Sequence, residues 1–253
     1  MLGKLIKYEF KATARTLVPL YIALVAFALI NKLFMGSSNN LDSNLLGSIP
    51  MMISIFAYGC TMAAVFIITF FVIVQRFYKN LLGDEGYLMN TLPVPTWMNI
   101  SSKLTVSIIW SSVSGIVAIG SILIMAFSPN MFSNMFSAMS ELKNYLPEGY
   151  YGFIVELIIY GFISMISSTL MLYLSISIGH LFNKRRILTS FGAFIILNMI
   201  ISGIKGVIQG GTVIVNDFST FPSIHGVLVF DIVVVIVFFI GCNYIIKNKL
   251  NLE

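Results

Sequence analysis

Charged residues are scarce in this chain. Fifteen basic and ten acidic residues make up 10% of its 253 positions, whereas 58% are hydrophobic and the mean hydropathy is +0.94. Soluble globular domains carry about 25% charged residues. The shortage excludes an ordinary soluble domain and indicates an integral membrane protein. The net charge of +5 is dispersed along the chain, so we expect no nucleic-acid-binding surface.

Residues that carry out chemistry are also scarce. The chain has two cysteines, Cys60 and Cys242, each within an apolar run, and two histidines. It contains no CxxC or HExxH motif, no acidic dyad and no serine–histidine pair within the apolar runs. It also lacks a GxxxxGKS or GxxxxGKT phosphate-binding loop, so we do not expect this chain to hydrolyse ATP itself. These absences argue against an enzyme, and we expect no metal or cofactor in the chain.

Long apolar runs occupy most of the sequence. Each has about twenty residues, the length that a helix needs to cross the hydrocarbon of a membrane, and the runs lack the alternation of barrel strands. The sequence therefore predicts an all-α, polytopic membrane protein, with a single membrane domain over 1–253 and six transmembrane helices. The predicted spans are 17–35, 50–75, 104–127, 151–181, 187–208 and 223–246.

Basic residues lie mainly on one side of the predicted membrane. An even number of spans puts both termini on the same side, and twelve of the fifteen Lys and Arg residues fall there. The other side receives Lys32, Lys143 and Lys205. Because basic residues are enriched in cytoplasmic segments, both termini and the loop between spans two and three are predicted to be cytoplasmic.

The first sixteen residues have two faces at helical spacing. Their four basic residues lie on one side of a helical wheel, opposite an apolar face formed by Leu2, Leu5, Ile6, Phe10 and Leu17. Such a helix lies in the membrane interface with its basic face toward the lipid head groups. We predict an interfacial helix over 1–16, with Pro19 in the first turn of span one. The alternative is a basic flank that only sets topology.

A polar insert, RFYKNLLGDEGYLMNTLPVPTWMNISSK (76–103), separates spans two and three. It contains the only adjacent acidic pair in the chain, Asp84 and Glu85. Asp84 suits the N-cap of a helix of about two turns, which the prolines at its far end terminate. Tyr87 and Leu88 give this helix an apolar side that has no membrane to enter. We expect that side to be buried on another protein, and a short rigid helix between two spans can act as a lever on both.

This insert resembles the cytoplasmic loop of bacterial ABC transporter permeases of the type-two exporter superfamily. The opening KLIKYEFKATAR (4–15) is similar to the elbow helix of that family, and the six-span layout with both termini inside is similar too. In that family the insert is the coupling helix, which docks on a separate ATP-binding subunit. The resemblance implies these docking residues: Phe77, Tyr78, Asp84, Glu85, Gly86, Tyr87 and Leu88.

The resemblance also implies partners and a substrate class. It implies two separate ATPase subunits that bind ATP and magnesium, and a second copy of this chain or a related permease, in the lipid bilayer of a bacterial cytoplasmic membrane. Within the family, exporters of amphipathic peptides fit a chain with so few charges best: phenol-soluble-modulin-like toxins, or antimicrobial peptides such as bacitracin and lantibiotics. The alternatives are an ATPase-independent secondary transporter and a membrane scaffold. Secondary transporters usually carry several charged residues near the middle of the membrane, together with internal repeats. This sequence shows one clear charged residue there and no internal repeat.

Charged residues within the predicted spans are candidates for a site. Asp231 lies about nine residues, roughly 13 Å, into span six. It either lines the substrate path, or pairs with a Ser, Asn or Lys on a neighbouring helix. Glu156, a second candidate for the path, and Lys205 lie near the outer ends of spans four and five and are predicted to be interfacial. His225 and His180 are predicted to be structural hydrogen-bond donors, with proton relays as the alternative.

The outer loop at 128–150 repeats apolar residues every three to four positions. This spacing predicts an amphipathic helix that includes Phe132, Met135, Phe136 and Met139. It either packs on the membrane as a lid or gates the exit, where methionine adapts to varied apolar shapes. The glycine-containing segment 203–223 resembles the re-entrant outer helices of the family, with a flexible loop as the alternative.

Overall fold

The computed structural model consists of long α-helices. They are Leu2–Ser37 (α1), Leu45–Phe77 (α2), Thr96–Ala126 (α3), Tyr150–Gly179 (α4), Arg186–Val215 (α5) and His225–Asn248 (α6). The structure describes residues 2–37, 45–82, 94–127, 133–134, 137–138, 150–182, 185–215 and 225–249, among which no strand occurs. Even α6, the shortest of the six, has 24 residues and is about 36 Å long at about 1.5 Å per residue.

The prediction of an all-α membrane protein is confirmed. Six helices are long and apolar enough to cross a membrane, and each of them matches one predicted span. The chain is therefore a multi-pass membrane protein by the length and hydropathy of its helices. Several helices extend past their predicted spans. Helix α3 begins at Thr96, whereas span three was predicted from 104. Helix α5 continues to Val215, so the segment from 203 to that residue is helical and does not form a loop.

The N-terminal end of α1 also differs from the prediction. A separate interfacial helix over 1–16 was expected, but Leu2–Ser37 is one continuous helix with Pro19 inside it. Pro19 removes one backbone hydrogen bond. However, Leu17 and Tyr21 on either side of it are both buried, and their packing compensates for the lost bond. Pro19 therefore lies in the interior of α1 and not in the first turn of a helix.

The chain divides into two compact units. Unit 1 contains Met1–Leu2, Val74–Ile108 and Tyr145–Glu253, and unit 2 contains Gly3–Ile73 and Ile109–Asn144. Helices α2 and α3 therefore each contribute one part to unit 1 and the other part to unit 2. Helices α4, α5 and α6 belong wholly to unit 1.

In unit 2, hydroxyl groups tie α1, α2 and α3 together. The side-chain oxygens of Tyr21 and Ser114 lie 2.7 Å apart, and those of Thr69 and Ser114 lie 3.0 Å apart. Tyr58 and Ser121 form a similar pair at 2.7 Å. All five residues are buried. Small hydroxyl residues let helices approach closely, and their mutual hydrogen bonds replace those that hydrocarbon cannot offer.

In unit 1, Tyr173 of α4 is central to the packing. Its fully buried ring stacks on Phe77 at the end of α2, with ring centres 3.9 Å apart. Its hydroxyl lies 2.7 Å from the hydroxyl of Ser107 on α3. One turn further along α4, the Ser177 hydroxyl lies 3.6 Å from the sulfur of Cys242 on α6. Helix α4 therefore contacts the last turn of α2, the first half of α3 and α6.

Helices α4 and α5 meet at a tight connection that starts at Gly179. The Thr189 hydroxyl donates to the Gly179 carbonyl at 3.2 Å, and the Ser190 hydroxyl donates to the Arg186 carbonyl at 2.8 Å. A Cβ atom at position 179 would overlap the Ser190 side chain and lie 2.7 Å from the Arg186 carbonyl oxygen. The close approach of the two helices therefore depends on the missing side chain.

We predict that Gly179→Ala destabilises the protein by about 1–3 kcal/mol, because the added methyl group overpacks this contact. Thermal unfolding in detergent measures the effect. Gly192→Ala on α5 is the matched control, since a Cβ there meets nothing within 4 Å. Equal stability of the two variants would show that the connection is not tightly packed.

Candidate functional site

Helices α4, α5 and α6 bring charged residues together at one end of unit 1. Because α5 turns back from α4 and α6 turns back from α5, the start of α4, the end of α5 and the start of α6 lie at the same end. Glu156 lies on the first turns of α4, Lys205 on the last turns of α5, and His225 and Asp231 on the first turns of α6. These four residues form two pairs, which we call the charged-pair site.

The stronger pair joins Lys205 to Asp231. The Lys205 ammonium nitrogen lies 2.7 Å from Oδ1 of Asp231 and donates a hydrogen bond to Oδ2 at 2.9 Å. The Asp231 side chain is 0% exposed and that of Lys205 is 22% exposed. Asp231 is six residues from the first residue of α6, about 9 Å along the helix.

This pair bears on the two alternatives for Asp231, and its place on the substrate path stays a prediction. The carboxylate has a lysine partner on a neighbouring helix, as the second alternative required. Lys205 was predicted to be interfacial, but it reaches inward to a buried carboxylate. An unpaired buried charge is costly, and an opposite charge with good hydrogen-bond geometry offsets much of that cost. The Lys205 nitrogen also lies 5.9 Å from the centre of the Tyr160 ring, a weak additional attraction.

The second pair joins His225 to Glu156. Nδ1 of His225 lies 2.6 Å from Oε1 of Glu156. The His225 side chain is mostly exposed, whereas Glu156 is largely buried. The contact is close enough for an ion pair when His225 is protonated, and the role of His225 as a hydrogen-bond donor stays a prediction. Together the two pairs tie α6 to α4 and to α5 at this end of the unit.

The stems of the polar insert lie far along α4 from the charged-pair site. Tyr173 is seventeen residues from Glu156, about 25 Å along the helix. At this end Phe77 is fully buried against Tyr173, so it anchors the insert and does not offer its ring to a docking partner. After Phe77 the chain winds into a π-helical turn, Tyr78–Leu82, a feature often found at functional positions.

The two stems are fixed by further contacts within unit 1. The exposed ring of Tyr78 packs beside the His180 ring, with ring centres 5.0 Å apart. On the second stem, the Thr96 hydroxyl donates to Oδ1 of Asn243 on α6 at 2.7 Å. His180 follows the last residue of α4 and lies outside the membrane-spanning segment. Burial, and to a lesser extent the positive charge of Arg186, lowers the pKa of His180 below 6.5.

The remaining predicted site residues lie outside the described part of the chain. They are the docking residues Asp84, Glu85, Gly86, Tyr87 and Leu88, and the outer-loop residues Phe132, Met135, Phe136 and Met139. Among the described residues, no group of three or more His, Cys, Asp or Glu residues is placed to hold a metal ion.

Sequence reasoning missed the partner of Asp231, although a signal was present. Lys205 is ten residues before the end of α5, and Asp231 is six residues after the start of α6. Consecutive antiparallel helices place such positions at similar depths, so opposite charges there can pair. The central role of Tyr173 left no signal, because a single tyrosine within an apolar run does not identify its neighbours.

Lys205→Met should destabilise the protein by about 3 kcal/mol or more, because it leaves a buried carboxylate without its cation. The double variant Lys205→Met/Asp231→Leu should recover most of that loss. Unfolding midpoints in detergent measure both effects.

The same change at Lys32 is the control, because Lys32 faces the Phe127 ring at 4.3 Å, a contact expected to contribute only about 1 kcal/mol. If Lys205→Met is as stable as Lys32→Met, the Lys205–Asp231 pair contributes little to the stability of the protein.

Stability should also depend on His180. The pKa of His180 is 6.5 in the unfolded chain and lies below that value in the folded protein. At a pH between these two pKa values, the unfolded chain binds more protons than the folded protein. The resulting stabilisation is fully present above about pH 6.5 and is lost as the pH falls toward the folded pKa.

Unfolding midpoints from pH 8 to pH 5 should therefore fall more for the wild type than for His180→Gln. Parallel pH profiles would contradict this prediction.

The chain matches no family model, no curated protein and no solved structure. Its function is therefore inferred from its own residues: six apolar helices, a polar insert with anchored stems, and two charged pairs at the far end of the same unit.

Proposed function

We propose that this chain is the transmembrane subunit of an ATP-driven exporter of the ABC type, in which a separate subunit hydrolyses ATP. Six apolar helices support a membrane-embedded role. The polar insert, with its resemblance to a coupling helix, supports a docking partner on the cytoplasmic side. The sequence lacks a phosphate-binding loop, which is consistent with ATP hydrolysis by a separate subunit.

The observation that carries the proposal is how the insert is anchored. Both of its stems belong to unit 1, together with α4, α5 and α6. Phe77 packs on α4 through Tyr173, and Thr96 bonds to Asn243 on α6. A displacement of the insert would therefore move two helices beyond those that it connects directly. A loop that only joined two spans would have no need of such anchors.

In the proposed mechanism, the insert transmits motion from the ATPase to the membrane helices. Closing of two ATPase subunits around ATP and magnesium displaces residues 83–93, which dock on them. Asp84, Glu85, Gly86, Tyr87 and Leu88 make the contact, with the exposed ring of Tyr78 beside it. The anchors pass the displacement to α4 and α6, and the charged pairs keep α4, α5 and α6 together at the far end.

The distribution of charge favours a hydrophobic or amphipathic substrate, and we propose peptide toxins or antimicrobial peptides. The exposed sides of the membrane helices carry many large aliphatic and aromatic residues. Asp231 and Glu156 already have basic partners within the chain, so a cationic substrate group would have to displace Lys205 or His225 to reach them. We place the complex in the bacterial cytoplasmic membrane with both termini inside, where the excess of basic residues favours them.

A secondary transporter that works without an ATPase is the second candidate. The observation that favours it is the Lys205–Asp231 pair within membrane-spanning helices, because paired ionisable groups in such helices often couple transport to protons. Transport by such a protein would respond to a pH gradient and would continue without ATP.

Co-purification tests the leading proposal. Tagged wild-type chain, expressed with the ATPase encoded beside it, should retain that ATPase. Glu85→Arg and Tyr87→Ala should each lower the retained amount at least severalfold, because they remove docking contacts. Glu141→Arg, the same charge reversal in the outer loop, should leave retention unchanged. Retention by the insert variants equal to wild type would contradict the docking role.

A further inference from the structure

His180 lies where the first stem of the polar insert meets the connection between α4 and α5. It directly follows α4, whose last residue is Gly179. The centre of its ring lies 5.0 Å from that of Tyr78, the first residue of the π-helical turn that opens the insert. The half-buried ring of His180 is therefore a contact between the insert and the α4–α5 connection.

The surroundings of this ring suit an uncharged imidazole. Nε2 of His180 is buried and has no hydrogen-bond partner among the described residues. An uncharged histidine carries a hydrogen on one ring nitrogen, whereas a protonated histidine carries one on each. Protonation would therefore make Nε2 a buried donor without an acceptor, which is costly. The positive charge of Arg186 opposes the added proton as well.

The groups that face the ring do not offset this cost. The first stem provides the Tyr78 phenol and α5 provides the Arg186 guanidinium. On α6, Lys247 lies in the last turn and does not contribute to the lowered pKa of His180. No carboxylate pairs with the ring among the described residues. The attraction of a cation to the Tyr78 ring is weaker than the cost of a buried unpaired donor, so a protonated ring should turn toward water.

We propose that His180 is a proton-operated catch for the polar insert. The uncharged ring holds Tyr78 and the first stem against the α4–α5 connection, and the protonated ring releases them. This role rests on the proposed function, which places this end of unit 1 in the cytoplasm and makes the insert a lever. Acidification of the cytoplasm then loosens the lever and lowers the coupling of ATP hydrolysis to transport.

The release is confined to a short part of the stem. Phe77, the residue before the catch, is fully buried and stacks on Tyr173, and neither residue titrates in this pH range. The catch therefore frees the turn Tyr78–Leu82, while the end of α2 stays in place. A path to water exists beside the ring, since Leu181 and Phe182, the two residues that follow it, are both exposed.

Hydrogen exchange of the chain alone, in detergent and without an ATPase, tests the catch. After correction for intrinsic rates, the amides of 78–82 should exchange about threefold or more faster at pH 5.5 than at pH 7.5. His180→Gln, which is uncharged at both pH values, should abolish this response. His225→Gln removes the other histidine of the chain and should keep the full response. Equal exchange at both pH values in the wild type, or an unchanged response in His180→Gln, overturns the proposal.

Tyr78→Leu provides a test that leaves His180 in place. This variant removes the ring contact, so its amides at 79–82 should lose most of the pH response. A response as large as that of the wild type would also overturn the catch. Because neither measurement uses an ATPase, both decide the matter even if the co-purification fails and the proposed function is wrong.

Discussion

The structure depends on one constraint: a polar group within a membrane helix must find its partner inside the protein, because hydrocarbon offers none. In unit 1 the Lys205–Asp231 pair satisfies this constraint for the most deeply buried charge of the described chain. In unit 2 the hydroxyls of Tyr21, Thr69 and Ser114 satisfy one another. Each of these contacts joins two helices. The contacts that remove the cost of burying an unpaired polar group therefore also determine which helices are neighbours.

The same constraint connects the two ends of unit 1. At one end, Phe77 and Thr96 hold the stems of the insert against α4 and α6. At the other end, the charged pairs hold α6 to α4 and α5. A force applied to the insert is therefore expected to move these helices as a body, which is what a lever between a motor subunit and a transport path requires.

Sequence patterns predicted the helices well and their contacts poorly, for physical reasons. Apolar runs of about twenty residues fix the number of spans. They carry no amphipathic period, however, so they do not show which side of a helix faces protein. The burial of Phe77 could therefore not be foreseen, and the inward turn of Lys205 was indicated only by the opposite charges near the facing ends of two consecutive helices. Pro19 was misleading because the burial of Leu17 and Tyr21 outweighs one lost hydrogen bond. The predicted docking residues at 84–88 and the predicted gate residues Phe132, Met135, Phe136 and Met139 lie outside the described residues and stay predictions.

The most direct test of the account measures ATP hydrolysis by a separate ABC-type ATPase, reconstituted in lipid together with this chain. The account predicts that amphipathic peptides stimulate hydrolysis, and that Glu85→Arg abolishes the stimulation while the ATPase alone keeps its basal rate. Hydrolysis that is the same with and without this chain, or that is stimulated equally in the variant, would contradict a lever in the insert. Asp231 and a pH-driven transport cycle would then be the next subject of study.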